Sequence, residues 1–236
     1  FMTVSVNPAS LMQKCEAGDL DQHPLYVRIK AELDKDQNLS AEEKEYLLAL
    51  LKNPGESGID VESPFYVFSS SSFPYPTVVG KVNNEDKLHA SLDVMAKEQI
   101  CQPVSEADGY SFTTLNGNLL AFNETTAIII SASRTSQTEA AKEAITKLMK
   151  QTADNSIAKS GAFQKIAKQK SDINFFASMS AIPSTYRSQI SMGLPSEIKP
   201  EDITILGGLN FEKGKIALKT ENYTCLLYTS PSPRDA

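Results

Sequence analysis

The feature that most constrains this chain is a recurring transition. A short apolar strand runs directly into a helix opened by Asn or Ser at residues 3–14, 77–97, 126–150 and 173–190. A strand projects alternate side chains to opposite sides, and each helix carries an apolar stripe, so layering helices on a sheet buries both. Hairpin signals between the units make neighbouring strands antiparallel. Asn116-Gly117 is the clearest, because both residues tolerate positive φ, and Lys213-Gly214 turns a second hairpin. The pattern predicts an α+β fold: a largely antiparallel sheet, repeated strand–helix units, and helices packed on one face.

The local signals place the elements. Met2 to Val6 reads as a strand, and Asn7 caps a short helix with Pro8 at its first position. Helices follow at about 24–33 and 41–52. The second is opened by a Ser40/Glu43 capping box, carries a stripe of Tyr46, Leu47, Leu50 and Leu51, and is stopped by Asn53-Pro54-Gly55. Strands Phe65 to Phe68 and Thr77 to Val82 flank a loop at 69–76. The helix from Asn84 to Lys97 faces inward through Leu88, Leu92 and Met95, Pro103 to Gly109 reads as a loop, and 110–131 makes a three-stranded meander. A second capping box, Ser136/Glu139, opens a helix to Lys150 with Ala141, Ala144, Ile145, Leu148 and Met149 inward. A helix at 157–167, a strand at 173–179 and a short helical piece at 184–190 come next. Ile203, Ile205, Leu209 and Phe211 then alternate before the turn, and Ile216 and Leu218 after it.

Composition narrows the function classes. Hydrophobic content of 41% and charged content of 22% suit a folded protein. A net charge of -6, a pI near 5.1 and the lack of a basic run argue against nucleic acid, whose phosphates demand clustered Lys and Arg. No apolar run approaches the ~18 residues of a membrane span. Residues 225–236, CLLYTSPSPRDA, match the one-frame translation of a standard transposase sequencing adapter, so the chain reads as a metagenomic fragment with an artefactual tail. Cys225 then belongs to the tail, leaving Cys15 and Cys101, which read as free thiols at helix ends, with a single bridge between them as the alternative. The chain starts at Phe1, so both natural ends are expected to be missing. The genuine polypeptide divides into a first α+β subdomain at 1–134 and an incomplete second one at 135–224.

Several strings resemble one family. Val4-Ser-Val-Asn-Pro-Ala-Ser-Leu-Met12, Ser63-Pro-Phe-Tyr-Val-Phe68, Val78-Val-Gly-Lys-Val-Asn-Asn-Glu-Asp-Lys-Leu88, Ser156-Ile-Ala-Lys-Ser-Gly-Ala-Phe163 and Ser171-Asp-Ile-Asn-Phe-Phe-Ala-Ser178 resemble the domain of unknown function 4836 family, predicted envelope lipoproteins of Bacteroidales. The resemblance implies an exported, periplasmic or outer-membrane protein, held to the membrane only by a lipid anchor upstream of this fragment. It carries no catalytic residue over. A lipobox upstream and further strand–helix units downstream are expected.

The candidate chemistry is sparse. Asp34, Asp36, Asn38 and Glu45 fall where a calcium loop of the EF-hand type places oxygen ligands, and calcium is the one cofactor the sequence suggests. The sharp-turn position of such a loop takes Gly, but Leu39 stands there, and Ser40 opens a helix too early. Asp19, Asp21 and His23 alternate and form a weaker cation trio. Ser156-Ile-Ala-Lys159, Ser171-Asp172 and Lys219-Thr220 touch the pattern of serine acyl-enzymes. Ser196-Glu-Ile-Lys199 matches S-x-x-K equally well, however, and Glu221 stands where the K-T-G motif needs Gly. Phe73 and Tyr75, set between prolines, are the candidate binding residues: stiff backbone would present both rings to an envelope protein or a glycan. The alternative folds those rings back on the sheet. The sequence favours a non-catalytic binding or scaffolding role. The alternatives are a hydrolase whose site lies in a missing C-terminal part, marked by converging Ser, Lys and Asp side chains, and a calcium-stabilised binding module.

Overall fold

The computed structural model describes residues 2–14, 20–37, 39–70, 73–131, 138–152, 154, 156–179 and 203–224. Ten strands, all paired antiparallel, form one sheet: β1 (Met2–Val6), β2 (Phe65–Ser70), β3 (Phe73–Lys81), β4 (Ser105–Ala107), β5 (Tyr110–Leu115), β6 (Asn118–Phe122), β7 (Thr126–Ser131), β8 (Ile173–Ser178), β9 (Ile203–Glu212) and β10 (Lys215–Thr224). Their order across the sheet is β10-β9-β8-β1-β2-β3-β7-β6-β5-β4. The helices are α1 (Pro8–Lys14), α2 (Pro24–Lys35), α3 (Ala41–Lys52), α4 (Glu85–Lys97), α5 (Thr138–Met149) and α6 (Gly161–Ala167). The α+β class expected from the pattern is the class observed. β1 pairs with β2 on one side and β8 on the other, so one sheet draws on both predicted segments, 1–134 and 135–224. Among the described residues no helix is long and apolar enough to cross a membrane.

The capping chemistry works as the sequence predicts. The Asn7 side chain accepts from the Ser10 amide at 3.1 Å, and that of Asn84 from the Lys87 amide at 2.9 Å. Ser40 and Glu43 cap each other reciprocally. Each cap satisfies amides that the first helical turn leaves without partners. Asn116 and Gly117 both take positive φ, 48° and 78°, and close the β5–β6 hairpin. The Ser136 cap, the piece at 184–190 and the tail at 225–236 lie outside the described residues.

Four expectations are corrected. The helices do not all lie on one face. In β6, Leu119 and Ala121 pack with Ala141, Ala144 and Ile145 of α5, whereas Leu120 and Phe122 pack with Leu88 and Leu92 of α4. Successive strand residues point to opposite sides, so α4 and α5 sandwich the sheet. The cause is visible in the strands themselves: Leu119 to Phe122 and Ala127 to Ile130 are continuous apolar runs, the mark of a strand covered twice. Within the supposed loop, residues 69–70 and 73–76 are strand, with β2 reaching Ser70 and β3 starting at Phe73 across an irregular register between Phe68 and Ser70. The supposed loop at 103–109 contains β4, which pairs with β5. The stripe of α3 is only half-buried and leaves Leu51 exposed, because α3 buries no side chain fully.

The opposed pairs carry the two faces across the whole sheet. The chain Ile128–Val79–Tyr66–Ser5–Asn174–Gly208 marks the α5 face. α6 joins that face, where Ala162 and Ile166 pack on Phe176 and Leu206. The other face, that of α4, runs through Val6, Ile173, Leu209 and Leu218. Two glycines serve this face. A Cβ on Gly80 would meet the Phe65 ring at 2.5 Å, and one on Gly207 would drive into the Phe175 ring. In both places an aromatic ring lies across the bare backbone of the neighbouring strand.

Candidate functional site

The residues singled out by sequence do not form one site. Asp36 closes α2, its amide donating to the Leu33 carbonyl, and Leu39 is buried where a calcium loop would turn. The Asp34 carbonyl accepts from Lys44, and Glu45 is an exposed residue of α3. Asn38 lies outside the described residues. Among the described residues no three His, Cys, Asp or Glu side chains are placed to hold a metal ion, so Asp34, Asp36 and Glu45 are not brought together. Asp21 pairs instead with Lys52 at 2.7 Å, and His23 caps α2 through Nδ1, which accepts from the Leu25 amide. Ser156 caps a short turn, and Lys159 pairs with Asp154. Tyr75 is half-buried and packs against the cluster under α5, because β3 continues through it and turns its ring onto the sheet. Phe73 belongs to β3 opposite Ser70, and its side chain is outside the described residues. Cys101 is a free thiol, buried and donating to the Leu92 carbonyl at 3.5 Å, and burial pushes its pKa up. Cys15 is outside the described residues.

Ser, Lys and Asp do converge, at a place the sequence reading did not single out as a unit. Asp172, just before β8, has no exposed side-chain surface. Its carboxylate accepts from Ser10 Oγ at 2.5 Å, from Lys14 Nζ at 2.7 Å and from the Phe211 amide at 2.6 Å. Its carbonyl accepts from the Asn7 amide at 2.9 Å. Burial works to raise the carboxyl pKa, but the bonds from Lys14, Ser10 and the Phe211 amide outweigh it and hold the group below the usual carboxylate range. Such a carboxylate is a poor base toward Ser10, whose proton it already receives, and Lys14 is spent as its counter-ion. Nucleophilic activation needs a partner free to take the proton. The arrangement is a clasp that ties α1 to β8 and β9. The one available signal was the i, i+4 spacing of Ser10 and Lys14 on one helix face.

An open groove of about 430 Å³ lies where the start of α4 meets the β4–β5 and β6–β7 turns, lined by Glu85, Glu106, Tyr110, Ser111, Asn123 and Glu124 among others. Ser111 of its lining has its Oγ 3.3 Å from His89 Nε2, and the imidazole packs edge-on against Phe122, centroids 4.9 Å apart.

The third feature is the β9–β10 edge. β10 is the end strand of the sheet among the described residues, and it pairs with β9 over an unbroken register from Lys215↔Glu212 to Thr224↔Ile203. On the α4 face this hairpin exposes Ile216 (66%), Leu218 (59%) and Phe211 (38%). On the other face Lys165 of α6 pairs with Glu221 at 2.9 Å. Apolar side chains grouped on one exposed face mark a surface for contact. The sequence shows the alternation of this hairpin. Alternation marks a two-faced strand and does not say that both faces are covered.

No curated protein matches this chain. Among solved structures it is similar to TP0453 in its crystal form IV (TM-score 0.47, 8% identity, covering 94% of this chain and 75% of that one). Forms III and I give TM-scores of 0.44 and 0.43 at 8% and 7% identity, covering 92% of this chain and 73% and 72% of those. Likeness at this level carries no argument about role. The profile of the domain of unknown function DUF4836 matches residues 1–225, and the chain belongs to that family.

Proposed function

We propose that this chain is a non-catalytic binding or scaffolding protein of the cell envelope, and that a partner polypeptide docks on the exposed face of the β9–β10 hairpin. The observation that carries the reading is the exposure of Phe211, Ile216 and Leu218 together on that face. Apolar side chains grouped on one solvent-facing surface mark a place for contact with a partner. The envelope placement is supported by the strings shared with predicted envelope lipoproteins.

The test is amide hydrogen exchange of residues 215–224 with and without an outer-membrane extract from a Bacteroidales species that carries the family. Slowed exchange confined to β10 supports the reading. Unchanged exchange ends it. Slowing that survives protease treatment of the extract would replace the polypeptide partner with a glycan.

One observation favours a second reading, hydrolysis: the contact of His89 with Ser111, which lines the groove. Nucleophile and base stand within loose hydrogen-bonding reach there, although Ser111 is only 7% exposed. Labelling of Ser111 by a fluorophosphonate would establish this reading, and an unlabelled serine would remove it.

A further inference from the structure

We propose that Asn116 is a modification site: the Gly117 backbone nitrogen attacks its side-chain amide, the amide becomes a carboxylate without an enzyme, and the product loosens the β5–β6 hairpin. This chemistry is independent of the docking face on β9–β10.

The reaction needs three conditions together. The nitrogen of the following residue must reach the asparagine Cγ, and a Cβ on that residue obstructs the approach. The side-chain amide must not be held elsewhere. The backbone between the two groups must be able to rotate. Asn116-Gly117 is the one Asn-Gly pair in the sequence. Both residues are exposed in a two-residue turn, and Leu115 pairs with Asn118, so the Gly117 amide stands outside the ladder. Even an added Cβ on Gly117 would meet nothing within 4 Å, so the turn is open to solvent, and glycine's wide torsional range lets it rotate. Among the described residues no hydrogen bond holds the Asn116 side chain.

Other sites fail these conditions. Asn84 and Asn123 accept backbone hydrogen bonds through their side chains, and Glu85 and Glu124 follow them. Asp108-Gly109 is the closer control, because Gly109 takes φ 85° in the turn from β4 to β5 and ring closure there would give the same imide. Lys150 Nζ, however, bonds the Asp108 carboxylate at 2.8 Å and holds its pKa below the usual range. An ionised carboxylate has no good leaving group, so that turn stays intact.

At Asn116 the Gly117 nitrogen bonds to Cγ, its proton passing through water to the departing nitrogen. The Cγ–Nδ2 bond breaks, ammonia leaves, and a five-membered imide remains. Water then adds to either imide carbonyl. Opening at the side-chain carbonyl gives aspartate, and opening at the backbone carbonyl gives isoaspartate, whose main chain is one carbon longer. Turn length fixes the register of a hairpin, and this one carries Leu119, Leu120 and Phe122 into the core.

Peptide mass analysis of the full chain, incubated folded at mildly alkaline pH, tests the site. The peptide holding Asn116 should gain the mass of an amide-to-acid exchange and split into two isomers before any other asparagine peptide changes. Asn116→Gln, which would have to close a larger ring, should stay unmodified with an unchanged circular dichroism spectrum. The isoaspartyl fraction should unfold at lower denaturant than the parent, and Asn116→Asp, which adds the charge without the extra carbon, should shift the midpoint less. An Asn116 that changes in the unfolded chain but not in the folded one overturns the inference, and so does another asparagine changing first. An isoaspartyl fraction with the parent's midpoint overturns the loosening of the hairpin.

Discussion

The β3–β7 region and the β8–β10 region belong to one sheet and differ in how many faces they bury. Under α4 and α5, β6 and β7 are covered twice, with Phe122, Leu119 and Ile130 almost wholly removed from water. At β9 and β10, α6 covers one face through Leu206, and the opposite face leaves Phe211, Ile216 and Leu218 in solvent. The same residue types therefore do different work. Leucine in β6 drives folding, whereas leucine in β10 stays in solvent.

The comparison breaks or holds on five measurements. The largest effect is expected from Phe122→Ala, which empties a site closed on every side. It should cost about 3–5 kcal/mol in denaturant unfolding, and a loss below about 1 kcal/mol would mean that the two-sided region is not the stability core. Asp172→Ala comes next. It leaves Ser10 and the Phe211 amide without their acceptor while the partly exposed Lys14 returns to water, so a loss of about 1–3 kcal/mol is expected, and hydrogen exchange in α1 should quicken with it.

The clasp also sets a pH dependence. The carboxyl pKa of Asp172 is lowered in the folded state. Its contribution is therefore present above the unfolded value of about 3.9 and is lost as pH falls through the folded pKa. Acid unfolding of Asp172→Asn should show a flatter decline than the parent over that window, and parallel profiles would refute the clasp. Of intermediate size is Gly207→Ala, which drives a methyl group into the Phe175 ring. A loss of about 1–3 kcal/mol is expected, with partial recovery in the Gly207→Ala, Phe175→Leu double variant. The smallest effect belongs to Leu218→Lys, which should change monomer stability by no more than about 0.5 kcal/mol. A cost like that of Phe122→Ala would show that the edge is core.

Much of the fold was legible because its signals are local. Asn7, Ser40 and Asn84 cap the helices they precede, and Asn116-Gly117 turns the hairpin it marks, since each depends on atoms within a few residues. The strand at 73–76 was masked by Pro74 and Pro76, which suggest a loop until β3 is seen paired with β2. For the site, legibility was poorer. Tyr75 was chosen for its setting between prolines, and its ring lies against the α5 cluster, since a strand turns alternate residues inward wherever its neighbours place the core. Asp172 gave no warning of its role, because Ser10 and Lys14 reach it from the other end of the chain.

Sequence alone determined most of the strands and helices, where most helices begin, and that the class is α+β, because torsional preference, capping and apolar period act over a few residues. Tertiary structure decided which side of the sheet each helix covers, which carboxylate is buried, and which apolar face is left open. Those outcomes depend on strand order and on contacts between residues distant along the chain, and a side chain's alternation fixes its face without fixing what lies over it.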